Sequence, residues 1–524
     1  MNAPPSDRHW NRAQRYLAEG NLDAARISLE SMLQRDSGNV HAHLLLSDIA
    51  WEEDRVRESA RHARAAAGAL PADPELIVAI VAALIRSGET VAARTCLDDP
   101  VCTVVQSVTA LVQMAEQRYL LNQTAESLAL YDRARALGAD GPEFRFRRGV
   151  QLVFAGRIRE AEAEFLETVR HDPTYGRAWQ ELARLRKQTA TDNHLAGTAR
   201  ALQLVQPGSY EHASIEFARY KELEDLGRYD EAWTALAHGN ALMYARHQHD
   251  PAHTRQLFAN LTRACNADFL RPVSALHAGA QPIFIIGMPR SGTTVLDRLL
   301  GNHSQVESVG ELDDFAFQLR WAADHCKTLD DTVIERLPRI DFVELGRRYL
   351  DQTQWRAAGK PFYTDKLPRN WMVAGLIAKA LPQARILNLV RDPMDVCFSN
   401  FRALFADAFA HIYDLDALAS HYLVYQDTMA HWHTAMPGRI LDVAYADLVA
   451  NADETLRKVL QFCGLPWEPG CGDLTRNRSS VSTLSAVQVR EPVHKRFVDS
   501  WRRYERQLAP LQRILDRQNS VKIG

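Results

Sequence analysis

Residues 282–300, PIFIIGMPRSGTTVLDRLL, decide the fold of the second half of the chain. The run 282–286 is apolar and rich in β-forming side chains, whereas 295–300 has the apolar spacing of an amphipathic helix. The loop between them contains Gly287 and Gly292. In such a strand, loop and helix, the N–H groups of the loop and the N-terminus of the helix converge on a phosphate. The stretch therefore predicts an α/β domain with an anion site at this loop.

The side chains of the loop add hydrogen-bond donors to the predicted anion site. The candidates for contact with the anion are Pro289, Arg290, Ser291, Gly292, Thr293 and Thr294. A loop that binds ATP or GTP with Mg²⁺ has a lysine after its second glycine, which reaches the terminal phosphates. Thr293 stands at that position here. The sequence therefore argues against a metal-dependent NTPase and against a nucleotide or small-molecule kinase, and it predicts no metal site.

Further strand candidates lead into charged or aromatic residues. These are 385–390 before Arg391, 305–309 before Gly310 and Glu311, the run from Pro361 before Lys366, and 440–443 before Ala444 and Tyr445. Parallel strands place their carboxyl ends at one edge of a sheet, and open α/β sheets bind ligands there. We therefore expect these residues to lie along one edge together with the anion loop.

The first half of the chain repeats with a period of 34 residues. Small residues recur at this interval, at Ala25, Ser59, Ala93, Ser127 and Ala161, and turn-forming residues recur in the same frame, at Gly20, Asp54, Gly88, Asn122 and Gly156. A left-handed residue commonly ends a helix. Each unit is therefore predicted to be two helices that pack closely at the small residue.

This pattern resembles the tetratricopeptide repeat over roughly residues 6–173. The register breaks after Ala183 and a similar unit returns at 226–232, so the array is predicted to run to about residue 245. Stacked helix pairs form a superhelix with a concave face that suits an extended peptide or the tail of a partner. The alternative is that the array only stabilises or dimerises the protein, because the fold alone does not specify a ligand.

Composition excludes several classes of function. A chain of 524 residues is too long for one hydrophobic core. Its net charge of −3 gives no basic excess for binding nucleic acid or an anionic membrane. The start of the chain lacks a signal-peptide pattern, and the seven cysteines are scattered without metal-binding spacing, Cys463 and Cys471 being the one pair considered for a disulfide. We therefore expect a cytoplasmic protein with reduced thiols.

The anion loop and the strand ends together resemble the PAPS-dependent sulfotransferases over roughly residues 280–510. The motifs are most similar to the tyrosylprotein sulfotransferases and their repeat-bearing relatives. The resemblance implies that the PRSGTT loop, 289–294, holds the 5′-phosphosulfate end of PAPS (phosphoadenosine phosphosulfate). It also implies that Arg391 and Ser399, eight positions apart, grip the 3′-phosphate. A surface ion pair with Asp392 or Asp395 is the alternative for Arg391.

The resemblance also assigns catalytic roles. Glu311 is implied as the base that takes the proton of the acceptor hydroxyl. Asp313 and Asp314 are competitors for this role, and so is His303, because many small-molecule sulfotransferases use a histidine base. Lys366 matches the lysine of the family that stabilises the charge developing on the oxygen between sulfur and phosphorus.

The C-terminal segment completes the implied donor site. Residues 485–493 resemble the SxxQVxxPV stretch of the family, so Ser485 is expected to contact the same bridging oxygen as the lysine. Tyr445 is expected to line the nucleotide pocket, with a simply packed aromatic as the alternative. The basic residue that reaches the 5′-phosphate is left open among Lys495, Arg496, Arg502 and Arg503.

The expected organisation has three parts. These are an α-helical tetratricopeptide-repeat superhelix at 1–245, a helical linker at 246–280, and an α/β P-loop-like sulfotransferase domain with a central parallel sheet at 281–524. The expected reaction is sulfuryl transfer from PAPS to a hydroxyl, without metal or covalent intermediate. The glutamate base and the repeat array favour protein or peptide tyrosine as acceptor. Carbohydrate, lipid or small-molecule hydroxyls and a repeat scaffold with an inactive transferase domain are the alternatives, and the oligomeric state is left open.

Overall fold

The computed structural model describes residues 8–68, 70–247, 249–272, 277–405, 409–477 and 499–521. It contains a helical array followed by an α/β domain. Within these residues, the helices are all too short or too polar to cross a membrane. The seven cysteines all lie in the described part and are free, Cys463 and Cys471 included.

The first half consists of helices that pack on one another in sequence-adjacent pairs. They are α1 Arg8–Ala18, α2 Leu22–Leu33, α3 Val40–Glu52, α4 Val56–Ala67, α5 Pro74–Arg86, α6 Thr90–Asp98, α7 Val108–Leu120, α8 Thr124–Ala136, α9 Pro142–Phe154, α10 Ile158–His171, α11 Gly176–Leu185, α12 Leu195–Leu204, α13 Tyr210–Asp225 and α14 Tyr229–Ala245. Helix α11 departs from this pairing, because it packs on α13 rather than on α12. The sixth unit is thus irregular, and the register breaks after Ala183 as the sequence predicted.

The period of 34 residues has the structural basis that the sequence predicted. The small residues at this interval are fully buried: Ala25, Ser59, Ala93, Ser127 and Ala161. The turn residue of each unit adopts a positive φ, namely Gly20, Asp54, Gly88, Asn122 and Gly156, and Gly227 does so again between α13 and α14. Short side chains at the contact let the two helices approach, and the left-handed residue reverses the chain between them.

The second half is built on a parallel sheet. Its strands are β1 Gln281–Gly287, β2 Val306–Ser308, β3 Phe362–Asp365, β4 Arg385–Val390 and β5 Ile440–Ala444, in the spatial order β2-β3-β1-β4-β5. All four pairings are parallel. The helices are α15 Pro251–Ala264, α16 Thr293–Leu300, α17 Asp314–Ala323, α18 Asp331–Arg336, α19 Phe342–Thr353, α20 Ala374–Ala380, α21 Pro393–Phe401, α22 Leu415–Ala435, α23 Tyr445–Ala450, α24 Ala452–Cys463 and α25 Glu505–Val521.

The hydrophobic core crosses from the array into the α/β domain. One cluster of buried side chains extends from Phe217 on α13 through Phe284 on β1 to Leu511 on α25. The indole of Trp233 stacks on the ring of Phe401 with 5.8 Å between ring centroids. The last repeat therefore shares its core with the α/β domain. The boundaries at residues 245 and 280 stay predictions.

Candidate active site

Every strand of the sheet is followed at its carboxyl end by a predicted site residue. Strand β1 leads into the anion loop, Lys366 follows β3 directly, Arg391 follows β4, Tyr445 follows β5, and Glu311 stands three residues after β2. All strands are parallel, so these ends lie at one edge of the sheet. The structure thus brings together the residues that the sequence predicted to meet there.

The anion loop depends on a left-handed backbone. Arg290 has φ 64° and Gly292 has φ 107°. A Cβ atom at Gly292 would lie 2.5 Å from the ring of Tyr445. Only glycine therefore fits at this position, where Tyr445 packs under the loop and α16 begins one residue later.

The loop presents a polar group that suits an oxyanion. Ser291 is 1% exposed, and its Oγ has no hydrogen-bond partner among the described residues. Such a buried hydroxyl is costly unless an oxygen or nitrogen binds it. Thr293 and Thr294 are also buried, at the first positions of α16. The loop is held from behind by Asn400, whose Nδ2 donates to the carbonyl of Pro289 at 2.8 Å.

A cluster of guanidinium groups makes the loop electropositive. Burial, and then the positive charges of Arg402, Arg184 and Arg391, lower the pKa of Arg290 to about 9. Burial likewise lowers the pKa of Arg391. Cations destabilise one another in this way unless an anion is bound between them. The electrostatics therefore favour a multiply charged anion at this edge of the sheet.

Arg391 lies between the loop and helix α21. Its Nη1 donates to the carbonyl of Arg290 at 3.2 Å, and its guanidinium lies 4.9 Å from the ring centre of Tyr445. The nearest Asp395 oxygen is 3.7 Å away, so the alternative ion pair exists but is buried rather than on the surface. The ion pair with Asp395 thus keeps the guanidinium of Arg391 inside the site.

Helix α21 begins as the sequence predicted. The side chain of Asp392 caps it by accepting from the N–H of Asp395 at 2.9 Å, and Pro393 occupies the first turn. Ser399 is buried two turns further along. The structure thus places Arg391 before the helix and Ser399 within it, and their predicted grip on a 3′-phosphate stays a prediction.

Glu311 and Lys366 form an ion pair. The Nζ of Lys366 lies 2.5 Å from Oε1 of Glu311, and the backbone N–H of Lys366 donates to the carbonyl of Gly310 at 2.9 Å. The lysine side chain is 1% exposed and the glutamate 39% exposed. A carboxylate at the mouth of the site and an ammonium beneath it are thus held together by β2 and β3.

The alternative bases are engaged elsewhere. Asp313 forms an ion pair with Arg369, while Asp314 is buried and accepts from the hydroxyl of Thr90 at 2.9 Å. His303 is buried with both ring nitrogens bonded to the backbone, to the carbonyl of Pro466 at 2.9 Å and the N–H of Gln305 at 3.1 Å. Asp313 is thus paired with Arg369, and Glu311 is the carboxylate of the group that contacts Lys366.

Two buried carboxyl groups behind the site were missed by the sequence analysis. Asp297 on α16 accepts from the hydroxyls of Ser308 and Thr364, at 2.8 and 2.5 Å, and so joins the helix to β2 and β3. Asp365 accepts from the hydroxyl of Tyr349 at 2.8 Å. Burial raises the pKa of both carboxyl groups. An aspartate among the leucines of the amphipathic run 295–300 was the available signal for Asp297.

Ser485 lies outside the described residues, as do Lys495 and Arg496. Arg502 and Arg503 are described and exposed, next to the buried Trp501. The predicted contribution of the C-terminal segment to the donor site therefore stays a prediction.

The α/β half of the chain is similar to a known family. Residues 282–469 match the sequence model described as the Sulfotransferase family. The matched range spans all of the sheet except the first residue of β1, together with the anion loop and the ends of the other four strands. The fold of the whole chain is thus a tetratricopeptide-like helical array followed by this domain.

Three curated relatives are similar to parts of the chain. An uncharacterized protein of Aquifex aeolicus is 28% identical over 375 residues, which are 70% of this chain and 49% of that protein. Nodulation protein NoeE of Sinorhizobium fredii is 33% identical over 22% of this chain and 30% of its own length. The TPR repeat-containing thioredoxin TTL4 of Arabidopsis thaliana is 49% identical over 13% of this chain and 10% of its own. The chain thus spans half or less of these relatives.

Two solved structures are similar to the two halves. The sulfotransferase domain of the Synechococcus PCC 7002 olefin synthase shares 20% identity over 44% of this chain and 91% of that domain, with a TM-score of 0.32. A tetratricopeptide repeat protein of Parabacteroides merdae shares 14% identity over 45% of this chain and 91% of its own, also with a TM-score of 0.32.

Proposed function

We propose that the protein transfers a sulfuryl group from PAPS to an acceptor hydroxyl. The observation that carries the proposal is the edge of the sheet, where an electropositive loop without the lysine of NTPases lies beside the ion pair of Glu311 and Lys366. The match of residues 282–469 to the sulfotransferase family supports the same reaction.

In this proposal the donor is held at its two anionic ends. The N–H groups of Gly292, Thr293 and Thr294 bind the 5′-phosphosulfate at the N-terminus of α16, together with the Ser291 hydroxyl, which has no hydrogen-bond partner among the described residues. Arg391 and Ser399 bind the 3′-phosphate, and Tyr445 lines the pocket beside them. The buried guanidinium cluster supports this assignment, because a dianion relieves the repulsion among its members.

The chemical step is a displacement at sulfur. The oxygen of the acceptor forms a bond to sulfur while the bond from sulfur to the bridging oxygen breaks, and its electron pair stays on that oxygen. Glu311 takes the proton of the acceptor. Lys366, with Ser485, donates to the bridging oxygen as its negative charge grows. The products are a sulfate ester and adenosine 3′,5′-bisphosphate, and the step requires no metal.

We propose protein or peptide tyrosine as the acceptor, with the concave face of the array binding the polypeptide. The support is the half-exposed carboxylate of Glu311 at the mouth of the site and the repeat fold beside it. Carbohydrate and small-molecule hydroxyls suit the same chemistry, so the test below includes them as acceptors. On its composition alone, we propose that the enzyme is cytoplasmic.

Two measurements on the full chain test this function. Calorimetry is expected to show tight binding of adenosine 3′,5′-bisphosphate and little affinity for ATP with Mg²⁺. Incubation with labelled PAPS and panels of tyrosine peptides, glycans and phenols, followed by mass spectrometry, is expected to show a sulfated peptide. Sulfation of a glycan or phenol alone would replace the tyrosine assignment. Binding of the bisphosphate without transfer to any acceptor would support an inactive scaffold, and failure to bind it would refute the proposal.

A further inference from the structure

The turns of three consecutive repeats dock along one segment of the transferase domain. Asp54 of the second repeat accepts from the N–H of Cys326 at 2.6 Å. The carbonyl of Gly88 in the third accepts from Nε2 of Gln318 at 2.7 Å, and Nδ2 of Asn122 in the fourth donates to the carbonyl of Glu311 at 2.6 Å. We call residues 311–326, which include α17, the docking segment.

The three contacts run antiparallel along the docking segment. Repeats two, three and four contact Cys326, Gln318 and Glu311, which are eight and seven residues apart. Gln318 lies on α17, whereas Glu311 precedes this helix and Cys326 follows it. Each repeat thus has its own partner on the segment, and a shift of one repeat would break all three contacts.

The residue types at the turns fit this docking. Asp54 and Asn122 adopt φ 62° and 60°, a conformation that costs a non-glycine residue about 1–2 kcal/mol. Their side chains are the groups that bond to the docking segment. At Gly88 a Cβ would lie 2.8 Å from that of Phe317, whereas a Cβ at Gly20 in the first repeat would meet no atom within 4 Å. At Asp54 and Asn122 the contact with the docking segment thus offsets a strained backbone. At Gly88 the contact requires a residue without a side chain.

The middle contact is a buried polar network that fixes the array in place. The carboxylate of Glu89 lies 2.6 Å from Arg348, and Thr90 donates to Asp314 at 2.9 Å. Arg348 donates in turn to Oε1 of Gln318 at 2.9 Å. Glu89 and Thr90 are at most 3% exposed. Buried networks of this kind hold one arrangement when every member is paired.

The last contact ends at the proposed base. Asn122 follows α7 and holds the carbonyl of Glu311 itself. The backbone of Glu311 is thus held by a side chain of the array, while its carboxylate contacts Lys366.

We propose that the fourth repeat is a working part of the acceptor site, because the side chain of Asn122 positions Glu311. This inference rests on the proposed sulfuryl transfer. It gives the array a role in catalysis, in addition to binding a polypeptide on its concave face.

The test compares two turn variants that act at opposite ends of the docking segment. Asn122→Gly and Asp54→Gly each keep the left-handed turn, relieve its strain and remove one side chain from the docking segment. Only Asn122→Gly acts at Glu311, because Asp54 contacts the opposite end of α17. With labelled PAPS and a phenolic acceptor, Asn122→Gly is expected to lower kcat by about 10- to 100-fold with unchanged affinity for adenosine 3′,5′-bisphosphate. Asp54→Gly is expected to stay within about twofold of the unmodified protein.

Equal kcat values in Asn122→Gly and Asp54→Gly would overturn the inference, because the two variants would then act alike although only one of them contacts Glu311.

Hydrogen exchange separates this inference from the proposed function. Faster exchange of residues 310–316 in Asn122→Gly than in Asp54→Gly is expected whether or not an acceptor is known, because Asn122 holds that segment. Equal exchange in the two variants overturns the positioning role. Absence of transfer by the unmodified protein would instead refute the proposed function.

Discussion

At the scale of single residues, an ion pair joins the two groups proposed for catalysis. Glu311 is the proposed base, and Lys366 is the proposed donor to the leaving oxygen. Before transfer, the buried ammonium keeps a carboxylate close to the place where the acceptor hydroxyl must lose its proton. In the proposed mechanism, the same ammonium donates to the oxygen that leaves sulfur, where charge grows. Lys366 therefore has to exchange Glu311 for the donor during the proposed reaction.

Glu311→Gln removes the proposed base while keeping its shape. A general base contributes about 10²- to 10⁴-fold, so kcat is expected to fall by that factor, with the affinity for adenosine 3′,5′-bisphosphate unchanged. Glu307→Gln is the matched control, since Glu307 lies on β2 in an ion pair with Lys360 at 2.8 Å. Radiometric turnover and calorimetry measure the two quantities. Normal turnover in Glu311→Gln would exclude this residue as the base.

Arg391→Ala tests the grip on the 3′-phosphate by comparing two nucleotides. A charge-assisted hydrogen bond is worth about 1.5–3 kcal/mol, so the affinity for adenosine 3′,5′-bisphosphate is expected to fall by about 10- to 100-fold. AMP lacks the 3′-phosphate, so its affinity is expected to stay the same. An equal loss for both nucleotides would show that Arg391 acts instead through the carbonyl of Arg290, which it also contacts.

At the scale of elements, the anion loop is fixed by the close packing of Gly292 against Tyr445, the first residue of α23. Gly292→Ala adds a Cβ 2.5 Å from the ring of Tyr445 and strains a left-handed residue. The free energy of unfolding is expected to fall by about 2–4 kcal/mol, and binding of adenosine 3′,5′-bisphosphate to be lost. Denaturant unfolding and calorimetry measure these effects.

Gly464→Ala is the control for this substitution. Gly464 has φ 75° at the end of α24, and a Cβ there meets no atom within 4 Å. This variant is expected to lose only about 1–2 kcal/mol, from backbone strain, and to bind the nucleotide normally. Equal losses in the two variants would mean that the contact with Tyr445 does not shape the loop.

The elements of both halves were largely predictable because their signals are local. A strand run such as 385–390 and a cap such as Asp392 are determined by neighbouring residues, and the structure confirms both. The 34-residue period was equally visible, since helix packing repeats the same small side chain. The partner of each turn was not predictable, because Asn122 and Glu311 are 189 residues apart in the chain. Asp297 was missed because its hydroxyl partners lie on separate strands.

At the scale of the whole molecule, the array and the α/β domain are joined through the docking segment, through α19 and through a shared core. The docking segment meets repeats two to four, and α13 and α14 share a core with β1 and α25. Asn240 on α14 also donates to the carbonyl of Phe401 at 3.1 Å. The array is therefore expected to unfold together with the domain rather than as a separate unit.

The buried pair of Glu89 and Arg348 tests this coupling most directly. It joins α19 to the third repeat at 2.6 Å, and the guanidinium also lies 3.9 Å from the ring centre of Trp321. Glu89→Ala leaves a buried charge without its partner, so the free energy of unfolding is expected to fall by about 3–5 kcal/mol. In an Arg348→Met background, Glu89→Ala is expected to lower the free energy of unfolding by less than about 1 kcal/mol, because no buried guanidinium is left without a partner. Denaturant unfolding followed by fluorescence should show one transition in all four proteins. Additive losses, or a separate early transition for the array, would show that the two halves are not coupled through this pair.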